Sequence, residues 1–358
     1  MHKKLFIPGP VEVAPDVLAK MAMPMIGHRS KDATNLQQSI SENLQKLMFT
    51  ESTIVLSTSS GTGLMEAAIR GCTKKRAAVF SVGSFGDRWY EIAQYNNIEA
   101  DKFTSEPGQP TTPEMVEAAL QTGKYDVVTV QHNETSSGIM NPVQAIGEVI
   151  KKYDDVLFLV DAVSSLGGAK IEVDNWGVDI CITSTQKCLG LPPGMSLCSV
   201  SERAYEAAKL NEFRGFYLDI VKLYEQVKKN YQYPSTPSLS HMFALDYQLD
   251  KIVNQEGIEN RFDRHAKLAD MLRAWAEKHF SLFAAPECRS NTVTCINNTI
   301  GFDFADLNKQ LGERGYTISN GYGKYKDITF RIANMAECTE ADLRDLLANI
   351  EDILGLEA

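Results

Sequence analysis

Lys187 is the residue of this sequence whose surroundings most favour covalent chemistry. It follows residues 178–182, an apolar run typical of a buried strand, and a glycine and two prolines come shortly after it. Most lysines are solvated surface residues. A lysine that leaves a buried strand toward a pocket loses hydration, and its pKa then falls until it can act as an amine nucleophile. Lys187 is therefore a candidate for Schiff-base formation, if other residues support that chemistry.

Asp161 ends a second apolar run, residues 156–160, one strand-to-strand crossover before Lys187. A carboxylate in that position is costly to desolvate unless it has a cationic partner, and the protonated nitrogen of a pyridine ring is such a partner. For an isolated aspartate, a helix N-cap is the alternative. Because Lys187 leaves the next strand, we expect both side chains over one pocket.

Small hydroxyl residues and glycines follow an earlier run, residues 53–56, and include Ser60, Gly61 and Thr62. The N-terminus of a helix that begins in this way can bind a phosphate through its free backbone N–H groups and the helix dipole. An ordinary capped helix start is the alternative. The segment matches neither a Walker loop nor a GxGxxG fingerprint, so a nucleotide is not the favoured ligand.

Two further segments follow predicted strands. Phe85 lies between glycines after residues 77–82 and could lie flat on a ring cofactor, although a core role is commoner for phenylalanine. Residues 131–138 are polar and mostly uncharged, as suits hydrogen bonding to a ligand. A phosphate cradle, a stacking aromatic, an aspartate for a ring nitrogen and a reactive lysine are together what pyridoxal 5′-phosphate requires of a protein. We predict this cofactor.

The elements that would position these residues are short apolar runs that alternate with helical patterns between about residues 50 and 201. The runs cover residues 53–56, 77–82, 127–130, 156–160, 180–182 and 197–200. They are continuous rather than alternating, as in strands covered on both faces. This α/β pattern predicts a mostly parallel sheet between layers of helices, with ligands at the carboxyl ends of its strands.

A compact α+β module is predicted after residue 250. It would contain a helix over residues 258–280, strands at 292–296 and 328–332, a helix over 304–314, and a last helix that begins with a capping box of Thr339 and Asp342. Residues 211–249 are interpreted as a connector. We therefore predict a large cofactor-binding domain over residues 1–250, with an N-terminal arm of about residues 1–25, and a small domain over residues 251–358.

Composition narrows the class of protein. The 358 residues are 44% hydrophobic and carry a net charge of −10 without a long basic run, which disfavours nucleic-acid binding. No apolar stretch reaches the length of a membrane span, and we expect no signal peptide. The seven cysteines form no Cys-x-x-Cys pair, so we expect reduced thiols, no metal site and a cytoplasmic protein.

At this point the chain resembles the class V aminotransferases, within the fold-type I group of pyridoxal-phosphate enzymes. The resemblance is greatest to the alanine–glyoxylate and serine–pyruvate branch and covers nearly the whole chain. The motifs that carry it lie at residues 8–10, 25–30, 60–62, 83–86, 134–138, 161–168 and 184–187. It implies a fold-type I architecture and a homodimer whose active site lies at the subunit interface.

The resemblance implies a role for each residue around the cofactor ring. Lys187 would form the Schiff base and shuttle the proton, and Asp161 would pair with the ring nitrogen. Val163 and Phe85 would pack on opposite ring faces, although the family often has Trp in place of Phe85. Ser136 would bond the ring hydroxyl.

The resemblance also implies the contacts of the phosphate. Ser60, Gly61, Thr62 and Gln186 would hold it, and Thr62 stands where some relatives carry His. Tyr233 and Thr236 would reach the phosphate of the partner subunit; plain turn residues are the alternative for both.

Substrate contacts are implied for two residues. Arg331 would clamp the substrate carboxylate with its two-pronged guanidinium, unless it forms a domain-packing ion pair. The backbone of Gly9 would approach the same carboxylate, or Gly9 is a plain turn glycine. His28 and Arg29 could offer positive charge to a second anionic group.

The predicted activity is transfer of an amino group from alanine or serine to glyoxylate or pyruvate in a ping-pong reaction. The alternatives on the same fold are a phosphoserine or a 2-aminoethylphosphonate transaminase. A cysteine desulfurase or other lyase is disfavoured, because those desulfurases usually carry His where this chain has Gln186. A cofactor-free binding protein would leave Lys187 and Asp161 unexplained.

Overall fold

A computed structural model describes residues 2–357. Its strands are β1 (Lys4–Leu5), β2 (Thr53–Ser57), β3 (Ala77–Ser81), β4 (Ala100–Thr104), β5 (Val127–Gln131), β6 (Asn133–Glu134), β7 (Ile139–Met140), β8 (Leu157–Asp161), β9 (Ile180–Ser184), β10 (Ser196–Val200), β11 (Ser281–Leu282), β12 (Val293–Asn297), β13 (Tyr316–Thr317), β14 (Ser319–Asn320) and β15 (Thr329–Ala333).

The α-helices of the same residues are α1 (Pro15–Met21), α2 (Lys31–Met48), α3 (Gly61–Cys72), α4 (Ser84–Tyr95), α5 (Pro113–Leu120), α6 (Val143–Ile150), α7 (Glu202–Lys209), α8 (Ile220–Asn230), α9 (Leu239–Asp250), α10 (Ile258–His279), α11 (Phe304–Glu313) and α12 (Glu340–Leu354). A π-helical segment, Lys251–Glu256, joins α9 to α10, and 3-10 turns lie at Pro286–Cys288 and Gly323–Tyr325.

The main sheet has seven strands in the order β2-β10-β9-β8-β5-β3-β4. Strand β10 is antiparallel to both of its neighbours, and the pairs from β9 to β4 are parallel. The prediction of a mostly parallel sheet is confirmed, and the architecture is that of the fold-type I enzymes. Buried apolar clusters lie on both faces of the sheet, as its continuous apolar strands require.

Two differences between the structure and the sequence interpretation concern an edge strand and the presumed connector. Strand β4 was not predicted, because it is an edge strand whose burial alternates and whose sequence, Ala-Asp-Lys-Phe-Thr, is largely polar. The presumed connector over residues 211–249 contains α8 and most of α9. Helix α9 buries residues on most of its surface, so its sequence lacks the one-sided apolar stripe of a surface helix.

The C-terminal part forms a four-stranded antiparallel sheet in the order β11-β12-β15-β14. Its core, which includes Leu272, Phe330 and Leu346, is formed with α10, α11 and α12. The predicted capping box of α12 is confirmed, since Thr339 and Asp342 exchange side-chain to backbone hydrogen bonds. The N-terminus also joins this part, because β1 pairs with β13; the domain boundary near residue 250 stays a prediction.

Candidate active site

Strands β8 and β9 are parallel neighbours, and their carboxyl ends bring Asp161 and Lys187 to one edge of the sheet. Asp161 is the last residue of β8 and lies opposite Ile182 of β9. Lys187 follows the end of β9 by one short turn and is buried. The predicted placement of both side chains at one site therefore agrees with the sheet register.

Lys187 lies against the N-terminal segment of the chain. Its Nζ donates a hydrogen bond to the carbonyl of Pro8. A Cβ atom built on Gly9 would lie 2.7 Å from the lysine Cδ and 2.8 Å from Nζ, and Gly9 has a φ of +103°. Glycine is thus required here both by its conformation and by the space that the lysine occupies.

The surroundings of Lys187 favour the neutral form of its amino group. The pKa of Lys187 falls from 10.5 to about 8, chiefly because the amine is buried; the positive charges of Arg331 and Arg88 add to the fall, and the carboxylate of Asp161 opposes it. With a pKa of about 8, about a tenth of the amine is unprotonated at pH 7, far more than for an ordinary lysine, and the neutral form is the nucleophile and proton acceptor.

Asp161 is a buried carboxylate that lacks a side-chain cation. The pKa of Asp161 rises from 3.8 to about 6, chiefly because the carboxyl is buried, and the hydrogen bond that the Val163 N–H donates to Oδ1 at 2.8 Å opposes this rise. Within residues 2–357, no Lys, Arg or His nitrogen forms a salt bridge with it. A ring N–H⁺ would supply the missing partner.

The start of α3 has the features of a phosphate cradle. Ser60 is its N-cap but makes no side-chain cap, so its side chain leaves the first-turn N–H groups available. A Cβ atom on Gly61 would lie 2.7 Å from Cγ2 of Val163, so the absence of a side chain at Gly61 allows the backbone to approach Val163 closely. The Thr58 hydroxyl is buried without a hydrogen-bond partner in the described chain, as expected where a ligand supplies one.

Gln186 lies beside this cradle, where its Oε1 accepts a 2.6 Å hydrogen bond from the Ser184 hydroxyl. Its amide group therefore has a fixed orientation. Thr62, on the first turn of α3, accepts a hydrogen bond of 3.3 Å from Arg88. The predicted phosphate residues are thus next to the predicted ring residues, and an unpredicted arginine joins them.

Glu134 organises the ring site and was given no role from the sequence. Its Oε2 accepts hydrogen bonds of 3.0 Å from the N–H groups of Phe85 and Gly86, and its Oε1 accepts the N–H and the hydroxyl of Ser136. One fully buried carboxylate therefore fixes both the predicted stacking aromatic and the predicted ring-hydroxyl partner. Burial raises the pKa of Glu134, against these four hydrogen bonds. Its place inside the Glu-Thr-Ser-Ser-Gly motif was the available signal.

Arg331, on β15, is held at the site by backbone carbonyls. Its Nε donates to Asn320 and its Nη1 to Thr135, each at 3.0 Å. It forms no salt bridge within residues 2–357, which removes the ion-pair alternative there. Arg331 is buried and held by neutral groups, so a substrate carboxylate would be its first anionic partner.

Two aromatic contacts connect Arg331 to the ring site. The Tyr322 ring stacks on Phe85 with 5.6 Å between centroids, and the Arg331 guanidinium carbon lies 5.4 Å from the Tyr322 centroid. The Arg88 guanidinium lies 4.6 Å from the Phe85 centroid. Arg88 and Tyr322 were not identified from the sequence, because only the tertiary structure brings their elements together.

The predicted cross-subunit residues lie in a loop beside the cradle. The hydroxyl of Tyr233 accepts a 3.4 Å hydrogen bond from the N–H of Thr58 in its own chain, and Thr236 is exposed. Arg29 donates hydrogen bonds to the carbonyls of Tyr233, Pro234 and Ser235, so it fixes this loop. The contacts of Tyr233 and Thr236 with a partner subunit stay predictions.

Fold and site together define a pyridoxal-phosphate enzyme of fold type I. Residues 18–334 match the family described as Aminotransferase class-V, and the chain belongs to the class V aminotransferases. These enzymes depend on pyridoxal phosphate, and the cradle, the unpaired Asp161 and the lowered pKa of Lys187 fit that cofactor.

Known proteins are similar to this chain over nearly all of its length. An uncharacterized aminotransferase of Methanocaldococcus jannaschii is 41% identical, over 98% of this chain and 92% of its own. The serine–glyoxylate aminotransferase of Arabidopsis thaliana is 30% identical, over 98% and 90%. The crystal structure of an alanine–glyoxylate aminotransferase from Nostoc sp. superimposes with a TM-score of 0.92 at 27% identity, over 99% and 96%. No helix of residues 2–357 is both long and apolar enough to cross a membrane.

Proposed function

We propose that this aminotransferase moves the amino group of alanine or serine to glyoxylate or pyruvate. The observation that carries the proposal is the site built by Lys187, Asp161 and Arg331, in which one guanidinium without an acidic partner is set to receive a substrate carboxylate. The named activities of the serine–glyoxylate and alanine–glyoxylate relatives support this choice of substrates.

Each residue contributes a defined step to this function. When bound, the cofactor supplies the electron sink that stabilises a carbanion next to its ring. Arg331 orients the substrate carboxylate, and Lys187 takes the proton from the substrate α-carbon and returns it in the opposite half-reaction. Asp161 keeps a proton on the ring nitrogen. Gly9 leaves the space in which the lysine side chain moves.

We also propose a homodimer whose active sites include Thr236 of the partner subunit. The loop of residues 233–237 lies beside the phosphate cradle, and Thr236 is exposed there. Phe213 and Phe216, 82% and 83% exposed, lie in the chain segment just before Leu218, which approaches Gly63 of α3. Two large aromatic side chains exposed on one segment support a surface that a second subunit covers.

A matrix of amino donors and oxo-acid acceptors tests the substrates. We expect alanine or serine to convert the cofactor to its amine form, visible as an absorbance change, and glyoxylate or pyruvate to reverse it. Lys187→Ala is the control and should show neither change. Turnover confined to phosphoserine or 2-aminoethylphosphonate, or sulfide release from cysteine, would contradict the proposed substrates.

A further inference from the structure

We propose that Tyr322 is a specificity-determining residue that limits the size of the substrate side chain; this inference rests on the proposed function. Tyr322 belongs to residues 321–328, a connection between β14 and β15 that we term the strap. Tyr322 is 39% exposed, and its ring contacts both Phe85 and the guanidinium of Arg331. It therefore lies between the expected ring platform and the expected carboxylate clamp.

The strap is fixed to the small sheet on both sides of Tyr322. Gly321 donates a 2.8 Å backbone hydrogen bond to Thr329, whose hydroxyl donates to the Tyr325 carbonyl at 3.0 Å. Tyr325 is buried, and its ring centroid lies 4.5 Å from that of Phe283. These contacts hold the backbone on which Tyr322 stands.

The strap also packs against helix α4, which covers the large sheet at the site. Gly323 has a φ of +57°, and a Cβ atom there would lie 2.7 Å from Oγ of Ser84, the first residue of α4. Asn320, whose carbonyl accepts from Arg331, also donates a 2.6 Å hydrogen bond to Asp327 at the far end of the strap. Tyr322 and Arg331 are thus held by the same segment, so their relative position is set by the fold.

A substrate that binds Arg331 through its carboxylate and presents its α-carbon to Lys187 must lie close to Tyr322. Because this ring contacts both Arg331 and Phe85, it borders the space left for the substrate side chain. As a wall of that space, the apolar ring would accept a methyl or hydroxymethyl group and oppose a branched one. One extra or missing methylene group in such a pocket changes kcat/KM by about 10–200-fold.

Three variants test the role of Tyr322. We expect Tyr322→Ala to raise the leucine-to-alanine ratio of kcat/KM at least tenfold, because the wall is removed. Tyr322→Phe retains the ring and should leave the ratio within about twofold. Tyr95→Ala is the matched control, since Tyr95 is 89% exposed at the far end of α4, and it should behave as the wild type.

The same change should appear in the acceptor direction, in the ratio of 4-methyl-2-oxopentanoate to pyruvate. A general loss of structure would lower kcat for both substrates without changing the ratio, and thermal unfolding of each variant measures it separately. An unchanged ratio in Tyr322→Ala, or an equal change in Tyr95→Ala, would overturn the inference. If the proposed function is wrong, the wild type itself transfers no amino group from alanine or serine, and this result overturns both the proposed function and the role of Tyr322. If only the inference is wrong, the wild type is active and the ratio is unchanged in Tyr322→Ala.

Discussion

Lys187 has a lowered pKa, and this predicts the pH dependence of cofactor attachment. Burial brings the pKa of Lys187 to about 8, so the neutral amine becomes available well below the range of an ordinary lysine. In cofactor-free enzyme, the rate of reaction with pyridoxal phosphate should rise with pH through about 8 and then level off. Stopped-flow absorbance between pH 6 and 10 measures it, with Lys187→Ala as the blank. A rate that still climbs steeply above pH 10 would contradict the prediction.

Asp161 destabilises the cofactor-free fold in order to serve the cofactor. A pKa of about 6 in place of 3.8 means that charging Asp161 in the folded protein costs about 3 kcal/mol above pH 6 and nothing below pH 3.8. Asp161→Asn should therefore stabilise the cofactor-free protein at pH 8 by up to that amount, with a benefit that vanishes between pH 6 and 4. Its half-reaction rate should fall at least about a hundredfold. Thermal unfolding of both proteins between pH 4 and 8 measures the difference in stability. An Asp161→Asn variant that is less stable than the wild type at pH 8 would contradict the prediction.

Gly9 lies so close to Lys187 that a methyl group at this position should interfere with it. Gly9→Ala combines a positive φ with contact distances below 3.0 Å to the lysine side chain. Gly123→Ala is the matched control, because Gly123 also has a positive φ but no atom within 4 Å of a built Cβ. Both should lose about 1 kcal/mol of stability from backbone strain. The rate of cofactor attachment should fall about tenfold or more in Gly9→Ala alone; equal rates would show that the contact is unimportant.

Among the elements, α4 depends on a carboxylate from another part of the chain. Its N-cap, Gly83, offers no side chain, and Glu134 accepts the N–H groups of Phe85 and Gly86 instead. Glu134→Gln replaces one acceptor oxygen with an NH₂ group, so buried donors then face a donor. We expect a loss of about 1–3 kcal/mol in unfolding free energy and weaker binding of pyridoxal phosphate.

Glu340→Gln is the control for this variant, because Glu340 is on the first turn of α12 and its ion pair with Arg344 is exposed. Its effect should stay within about 0.5 kcal/mol. Chemical unfolding of the cofactor-free proteins and titration with the cofactor separate stability from binding. If both variants behave alike, Glu134 does not hold α4.

The elements also show what the sequence could predict. Asp161 and Lys187 could be identified from the sequence because each follows an apolar run that predicts a strand, and ligands bind at the carboxyl ends of parallel strands. The register of β8 and β9 agrees with a common edge for the two residues. Glu134 and Tyr322 were missed because their roles depend on contacts between β6 and α4, and between the small and large sheets. Strand β4 was not predicted because an edge strand need not be apolar on both faces. Tertiary contacts of this kind leave no local pattern.

At the scale of the whole molecule, the proposed dimer should depend on the exposed aromatic residues. Phe213→Ser combined with Phe216→Ser removes apolar surface that a second subunit would cover, so we expect dissociation to monomers and weaker cofactor binding. Tyr95→Ser, at an equally exposed aromatic residue, should stay dimeric. Light scattering at micromolar concentration measures the mass. A monomeric wild type, or a dimeric double variant, would contradict the proposal.

Subunit mixing tests whether Thr236 serves the partner's site or its own. Lys187→Ala removes the amine of one subunit, and Thr236→Ala is expected to weaken phosphate binding. If Thr236 acts across the interface, a mixed dimer contains one site with an intact lysine from the Thr236→Ala subunit and an intact threonine from the Lys187→Ala subunit. Random assortment of equal amounts then makes about a quarter of all sites fully intact.

Activity of the mixture at limiting cofactor should accordingly exceed the mean of the two separate variants. If Thr236 binds the phosphate of its own subunit, every site in the mixture lacks one of the two groups, and activity stays at that mean. The exposed position of Thr236 in its own chain favours the first outcome, because an exposed side chain is accessible to a second subunit. Mixing wild type with Lys187→Ala provides the reference for subunit exchange.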